Sequence, residues 1–381
     1  MPTIDELLTT AVRESASDVY LKAGGYPVLR VHGDMQSARG WPRLTPDDTA
    51  KIAAAIMNER HKERFKHEAE VDLSYHISGV GRFRCNIHRQ RGTVGMVFRI
   101  ITSNIKTVEE LNLPAVIKEI ATERRGMILV TGSTGAGKST TLASMIEQIN
   151  TTRTAHIITI EDPIEFAYKD KKSFVIQREV DSDTLSFKSA LRGALRQNPD
   201  VIMVGEMRDV ETVETALMAA AAGTLVLSSL HTLDSTETIQ RIVAMFPSPQ
   251  QQGIRMMLAS VIKAIISVRL VRTNDGHGRV PAVEILRTSS LIRECIIQPD
   301  RTNSIRDLIA KGRDVGMQTF DQALLDQYTK GVVNLEDALM FATIPDDFML
   351  LVKGLQVAKA GQVIGAPEAA SAVAAEGISR L

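Results

Sequence analysis

In MILVTGSTGAGKSTT, residues 127–141, a short apolar run meets a glycine-rich turn ahead of a helix-compatible segment. Met127 to Thr131 form a short apolar run of strand type, and STTLASMIEQIN, residues 139–150, continues with helix-compatible spacing. Between them Gly132, Ser133, Thr134, Gly135, Ala136, Gly137, Lys138 and Ser139 satisfy the pattern G-x-x-x-x-G-K-[ST], and Thr140 extends the same turn. The physics of that pattern is a glycine turn whose backbone N–H groups converge on a phosphate at a helix N-terminus. The Lys138 ammonium then reaches the β- and γ-oxygens, and the Ser139 hydroxyl reaches Mg2+. The bland alternative is a glycine-rich turn that binds nothing, which must produce four specified residue types and both flanking elements by chance.

Working outward, apolar strand candidates alternate with helical patterns from Gly126 to Leu230: MILVT, HIITI, FVIQ, DVIMV and TLVLSSL, with helical runs such as SFKSALRGALRQN between them. This alternation predicts an α/β fold with a mainly parallel sheet covered by helices. Upstream, residues 1–101 mix a short helix, strand-like pieces (DVYLKA, PVLRVHG, FRCNIHR, VGMVFRI) and one polar helix near TPDDTAKIAAAIMNERHKERF, an α+β domain. Residues 102–113 read as a linker, and Pro114 opens the second domain, residues 114–354. After Thr232 strand signals thin out: VPAVEIL is one more strand candidate, followed by short C-terminal helices in SIRDLIAKG, TFDQALLDQYTKG and NLEDALMFA. Residues 355–381 are rich in small residues and read as a disordered tail.

Bulk composition narrows the class. The chain has 381 residues, 44% hydrophobic, with 45 Lys plus Arg against 45 Asp plus Glu, so its charge balance predicts neither nucleic acid nor anionic lipid as a partner. Cys85 and Cys295 form no CxxC pair, no exporting signal opens the sequence, and no apolar stretch is long enough to span a bilayer. A reduced cytoplasm is the expectation, with any membrane contact peripheral.

Hydrolysis needs more than a cradle: a partner for the metal, a group to handle water, and charge neutralisation. Glu206 follows the strand VIMV, where an acid beside Mg2+ is expected. HIITIEDPIEF delivers Glu161 and Asp162, with Glu165 close behind, and His231 closes TLVLSSLHT. Ligands bind outside the carboxyl ends of parallel strands, so these ends are expected to converge. Singly, each residue is as well explained by a cap, a surface ion pair or a structural histidine.

GSTGAGKSTT, TIEDPIEF, NPDVIMVGEMRD and LSSLHT resemble, in order and spacing, the nucleotide-site boxes of the secretion-superfamily ATPases, and most of all the type IV pilus retraction ATPases of the PilT/PilU family. The likeness extends over roughly residues 1–350, including SASDVYLKAGGYPVLRVHGDM and GMQTFDQALL. It implies a PAS-like N-terminal domain, a RecA-like P-loop ATPase core, and a homo-hexameric ring at the cytoplasmic face of the inner membrane. ATP and Mg2+ are the implied cofactors, and an inner-membrane pilus platform protein and a paralogous retraction ATPase the implied partners. It assigns Glu161 as general base, Glu206 as Mg2+ partner with Ser139, and His231 as sensor of the γ-phosphate. GRFRCNIHRQRGTVGMVFRI carries Arg82, Arg84, Arg89, Arg91 and Arg99; by composition alone this is a solvated basic face or a nucleic-acid patch. The resemblance instead implies fingers acting on a neighbouring subunit's nucleotide, with Arg82 and Arg99 first and Arg91 third.

Two departures accompany the likeness. Gly223 and Thr224 stand where the family commonly has Gly-His, so only His231 carries over. The family's AIRNLIRE helix is matched by LIRECIIQ, residues 291–298, which keeps Arg293 and replaces the second Arg-Glu pair by Ile297 and Gln298. The expected function is a hexameric ATP-hydrolysing motor for pilus retraction. The alternatives are an assembly or secretion ATPase of the superfamily, a PilU-like accessory ATPase or nucleotide-dependent scaffold serving a partner motor, and a nucleic-acid translocase.

Overall fold

A computed structural model describes residues 3–38, 40–101 and 104–364. Strands β1 (Ala16–Lys22), β2 (Val28–Val31), β3 (Asp34–Ser37), β4 (Glu70–Ile77), β5 (Gly81–Gln90) and β6 (Thr93–Ile101) form an antiparallel sheet in the order β3-β2-β1-β6-β5-β4. Period-two alternation sets its faces. Phe83, Cys85 and Ile87 of β5 are fully buried with Phe98 of β6 against the helices Ile4–Arg13, Pro46–Ile56 and Glu59–Glu68. Arg82 and Arg84 consequently point to the opposite face, and Arg84 is paired across the strands with Arg99. The run read as one polar helix is two. Met57 leaves the helical region at ψ 129°, and the Asn58 side chain caps the next helix by accepting from the His61 N–H.

The second sheet contains β7 (Gly126–Thr131), β8 (His156–Glu161), β9 (Phe174–Glu179), β10 (Val201–Val204), β11 (Leu225–Leu230), β12 (Ile262–Arg272) and β13 (Arg279–Arg287), in the order β13-β12-β7-β11-β10-β8-β9. All neighbours are parallel except β12 and β13. Met127 and Leu129 enter one apolar cluster, Ile128 and Val130 the other, so each face of β7 is covered. That two-sided burial is why these strands read as continuous apolar runs. The order makes β7, β11, β10 and β8 consecutive neighbours, and their register aligns Thr131 with Leu230, Ser228 with Val204, and Val204 with Ile160. Their carboxyl ends therefore open side by side.

Three segments differ from the sequence expectation. β12 lies in the stretch where strand signals were expected to thin out, and it pairs directly with β7. Its start is hidden because the helix Ser248–Val261 passes into Ile262 with no Gly or Pro between them. Val108 and Leu113 of the expected linker are buried in the cluster beneath β7, so that part of the linker is packed. The last helix runs Pro345–Ile364, ten residues into the expected disordered tail. There LQVAKAGQV supplies good helix formers around a single Gly361. Residues 365–381 of that tail lie outside the described residues.

Candidate functional site

The cradle begins where β7 meets β12. Gly132 sits at φ +145°, and a Cβ there would lie 2.5 Å from the Val268 carbonyl oxygen of β12, so the first glycine is demanded by contact as well as by conformation. Gly137 caps the helix Lys138–Thr152 at φ +97°, which leaves the first-turn N–H groups facing the turn. Lys138 is buried. Its ammonium donates to the carbonyls of Gly132 and Ser133, both at 2.9 Å, and stands 3.4 Å from His231 Nδ1. Burial lowers the Lys138 pKa, against the raising influence of Glu206 and Glu165.

A cavity of about 250 Å³ lies at the four neighbouring strand ends, and Lys138, Ser139, Glu161, Glu206 and His231 all line it. His231 bridges two of them: Nε2 is 3.3 Å from Glu206 Oε2 while Nδ1 faces Lys138. A neutral imidazole carrying its proton on Nε2 satisfies both contacts, accepting from the ammonium and donating to the carboxylate. The other Glu206 oxygen pairs with Arg208 at 2.7 Å. The result is a hydrogen-bonded row in which neutral His231 links the Lys138 cation to the Glu206 carboxylate, itself paired with Arg208, a cluster whose partners can be exchanged for a phosphate and a cation.

Glu161 has a different environment. Its carboxyl is buried and accepts the Thr159 hydroxyl at 2.6 Å and the Gln177 amide at 3.0 Å, both on Oε1. Burial pushes its pKa up to about 7, against hydrogen bonds from Thr159, Gln177 and the Glu165 backbone. A carboxyl poised near neutrality beside a phosphate cradle suits proton transfer from water. Asp162, the next residue, is also raised by burial and by the charges of Asp181 and Glu206.

The remaining candidates stand elsewhere. Gly137 and Thr140 line a second cavity, of about 330 Å³, on the other flank of the cradle, together with Lys106, Asn112, Leu270 and Arg279. Arg82 pairs with Glu179 at 3.0 Å, joining the first sheet to the edge strand β9. Arg99 donates from Nε to Asp18 at 3.0 Å while 71% of its side chain stays exposed. Arg91 occupies the β5–β6 turn at φ +46°. None of these three arginines lines the 250 Å³ cavity of its own chain. Thr159, Gln177 and Arg208 were not among the candidates; the period-two placement of Thr159 and Glu161 on β8 was the available signal for the first.

Among the described residues no group of three or more His, Cys, Asp and Glu is placed to hold a metal. Mg2+ at a triphosphate needs only one or two protein groups, the rest of its shell being substrate oxygens and water, so Ser139 and Glu206 fit that ion.

The type II/IV secretion system protein family matches residues 1–319. The type IV pilus retraction ATPase PilT of Pseudomonas aeruginosa is 43% identical over 91% of this chain and 99% of its own length. The type IV pilus ATPase PilU of the same organism is 40% identical over 92% and 91%. Among solved structures, the pilus retraction motor PilT with bound ADP is 45% identical, with a TM-score of 0.82, covering 91% of this chain and 99% of that one.

Proposed function

Because the chain belongs to the type II/IV secretion system family, we propose that it is a motor of the pilus-retraction branch, an enzyme converting ATP and water to ADP and phosphate to drive type IV pilus retraction. The observation that carries this reading is the convergence of Lys138, Ser139, Glu161, Glu206 and His231 on one cavity. The loop N–H groups and the Lys138 ammonium hold the β- and γ-phosphates, exchanging the Gly132 and Ser133 carbonyls for phosphate oxygens. The flanking cavity at Leu270 and Arg279 is the proposed place of the nucleoside. Mg2+, held by the Ser139 hydroxyl with Glu206 nearby, would neutralise phosphate charge. Glu161 takes the proton of the attacking water, and His231, freed from Lys138, reads the presence of the γ-phosphate.

The same reading makes the working unit a ring of six copies. In this reading Arg99, held at Nε by Asp18 with most of its side chain exposed, serves a neighbour's phosphate, and Arg82 joins it on release from Glu179. Closing and opening of that interface with the γ-phosphate converts hydrolysis into domain rotation, transmitted to an inner-membrane platform protein. Among the described residues no helix is long and apolar enough to cross a membrane. That is consistent with a place on the cytoplasmic face of the inner membrane.

Deletion of the gene tests the biological half of this reading. The expected phenotype is lost twitching with excess surface pili, whereas loss of all pili would assign the protein to assembly instead. One observation favours an accessory role beside a partner retraction ATPase. Ile297 is packed against the core and Gln298 ends the helix Ser290–Ile297, so the second Arg-Glu pair of the matched family helix is absent here while Arg293 is kept. Retraction that also vanishes on deleting a paralogous motor would support that role.

A further inference from the structure

Gln177 lies on β9 directly across from Thr159, one row from Glu161, and does not line the 250 Å³ cavity. Its side-chain amide is fully used. The nitrogen donates to Glu161 Oε1 at 3.0 Å and to the Phe166 carbonyl at 2.9 Å, and the oxygen accepts the Tyr168 N–H at 2.8 Å. This pattern fixes which way the amide faces, since only a group with two N–H donors and one acceptor meets all three partners. A carboxylate cannot donate to Glu161, and an ammonium cannot accept from Tyr168. The loop tied down in this way, residues 162–168, supplies Asp162, Pro163, Glu165, Phe166 and Tyr168 to the wall of the cavity.

We propose that Gln177 is a positioning residue for hydrolysis, fixing the Glu161 carboxyl and clamping the cavity-lining loop 162–168 onto the sheet edge. This deepens, and rests on, the reading of Glu161 as the base. With Thr159 it places two donors on Oε1, so the carboxyl is held against rotation about its terminal bond in one orientation at the cavity wall. Its donation also favours the ionised acid, countering the burial that raises Glu161.

The test is ATP hydrolysis by the full chain with Gln177→Glu, which keeps the acceptor for Tyr168 and loses both donors, and with Gln177→Met, which keeps the bulk alone. Glu161→Gln is measured beside them. The expected result is a fall in kcat of about tenfold or more with the KM for ATP held within about twofold. The acid limb of the kcat–pH profile should move to higher pH, further for Gln177→Glu, because a second carboxylate opposes ionisation of Glu161. Folded variants with unchanged kcat and an unmoved acid limb overturn the proposal. Loss in KM alone, or loss of folding in both variants, also overturns it, by assigning Gln177 to loop structure only. Glu161→Gln separates the two claims. If it hydrolyses ATP at the wild-type rate, the base reading fails; if it is inactive while the Gln177 variants behave as wild type, only the positioning role fails.

Discussion

Lys138 is held by two carbonyl oxygens of its own loop, so binding a triphosphate is an exchange of partners for an already desolvated ammonium. Lys138→Ala is expected to abolish measurable ATP hydrolysis and to weaken nucleotide binding at least about tenfold, read by titration with a fluorescent ATP analogue. Glu161 supplies a prediction in pH. Its folded pKa of about 7 lies above the ordinary 4.5, so below pH 4.5 both folded and unfolded chains carry the proton and nothing is lost. Between pH 4.5 and about 7 the unfolded chain ionises while the fold resists, and stability falls by roughly 3 kcal/mol, a deficit that then stays constant. Glu161→Gln should therefore raise the melting temperature by several degrees at pH 8 and scarcely at pH 4. An equal shift at both pH values would show that the acid is not held protonated. Residue types at the strand ends were legible in the sequence because the chemistry of phosphate and Mg2+ restricts them. Gln177 was not legible, because its partners Phe166 and Tyr168 are backbone groups whose proximity exists only after β8 and β9 pair.

At the scale of elements, β12 shapes the cradle from outside the motif. Its Val268 carbonyl stands where a side chain on Gly132 would begin. Gly132→Ala should thus displace the loop, and with it the carbonyl that accepts the Lys138 ammonium. We expect it to reduce nucleotide affinity about tenfold, from roughly 1–3 kcal/mol of backbone strain, while Gly135→Ala, whose Cβ would meet nothing within 4 Å, suffers only from its own φ of +77°. Comparable affinities in the two variants would contradict this. β7, β8, β10 and β11 were readable as short apolar runs because both of their faces are buried. β12 escaped notice for a related reason. Lys263, Ser267, Arg269 and Arg272 interrupt its apolar run, and it follows a helix without a turn residue, so period and punctuation give no boundary. The split of the polar helix at Met57 and Asn58 was likewise concealed, since an Asn cap looks like any other polar residue until the chain bends.

The whole molecule joins its two sheets through a carboxylate. Glu179 takes Arg82 at 3.0 Å and the Ser74 hydroxyl from the first sheet, and the Ile164 N–H at 3.1 Å from the loop beside Glu161. If Arg82 serves a neighbouring subunit, this contact competes with that service, and the arginines act only between copies. Subunit mixing tests the point. Lys138→Ala subunits offer intact arginines but no cradle, and Arg99→Ala subunits offer the reverse, so a mixture should recover ATPase activity that neither shows alone. Additive, unrecovered rates would place the arginines' action within one chain. Arg293 is exposed on the helix Ser290–Ile297, remote from the cradle in sequence, and does not line the 250 Å³ cavity, so it is expected to act in output rather than chemistry. Arg293→Ala should leave ATP hydrolysis within about twofold of wild type while reducing twitching. Equal losses in both would tie that helix to catalysis. The structure of the protein with Mg2+ and a non-hydrolysable ATP analogue bears most directly on this reading of the site. Lys138 is expected to leave the carbonyls of Gly132 and Ser133 for the β- and γ-phosphates, with Ser139 and Glu206 at the metal and Glu161 facing the attacking water. Triphosphate bound away from the loop, or Lys138 still held by those carbonyls with Glu161 turned from the γ-phosphate, would contradict it.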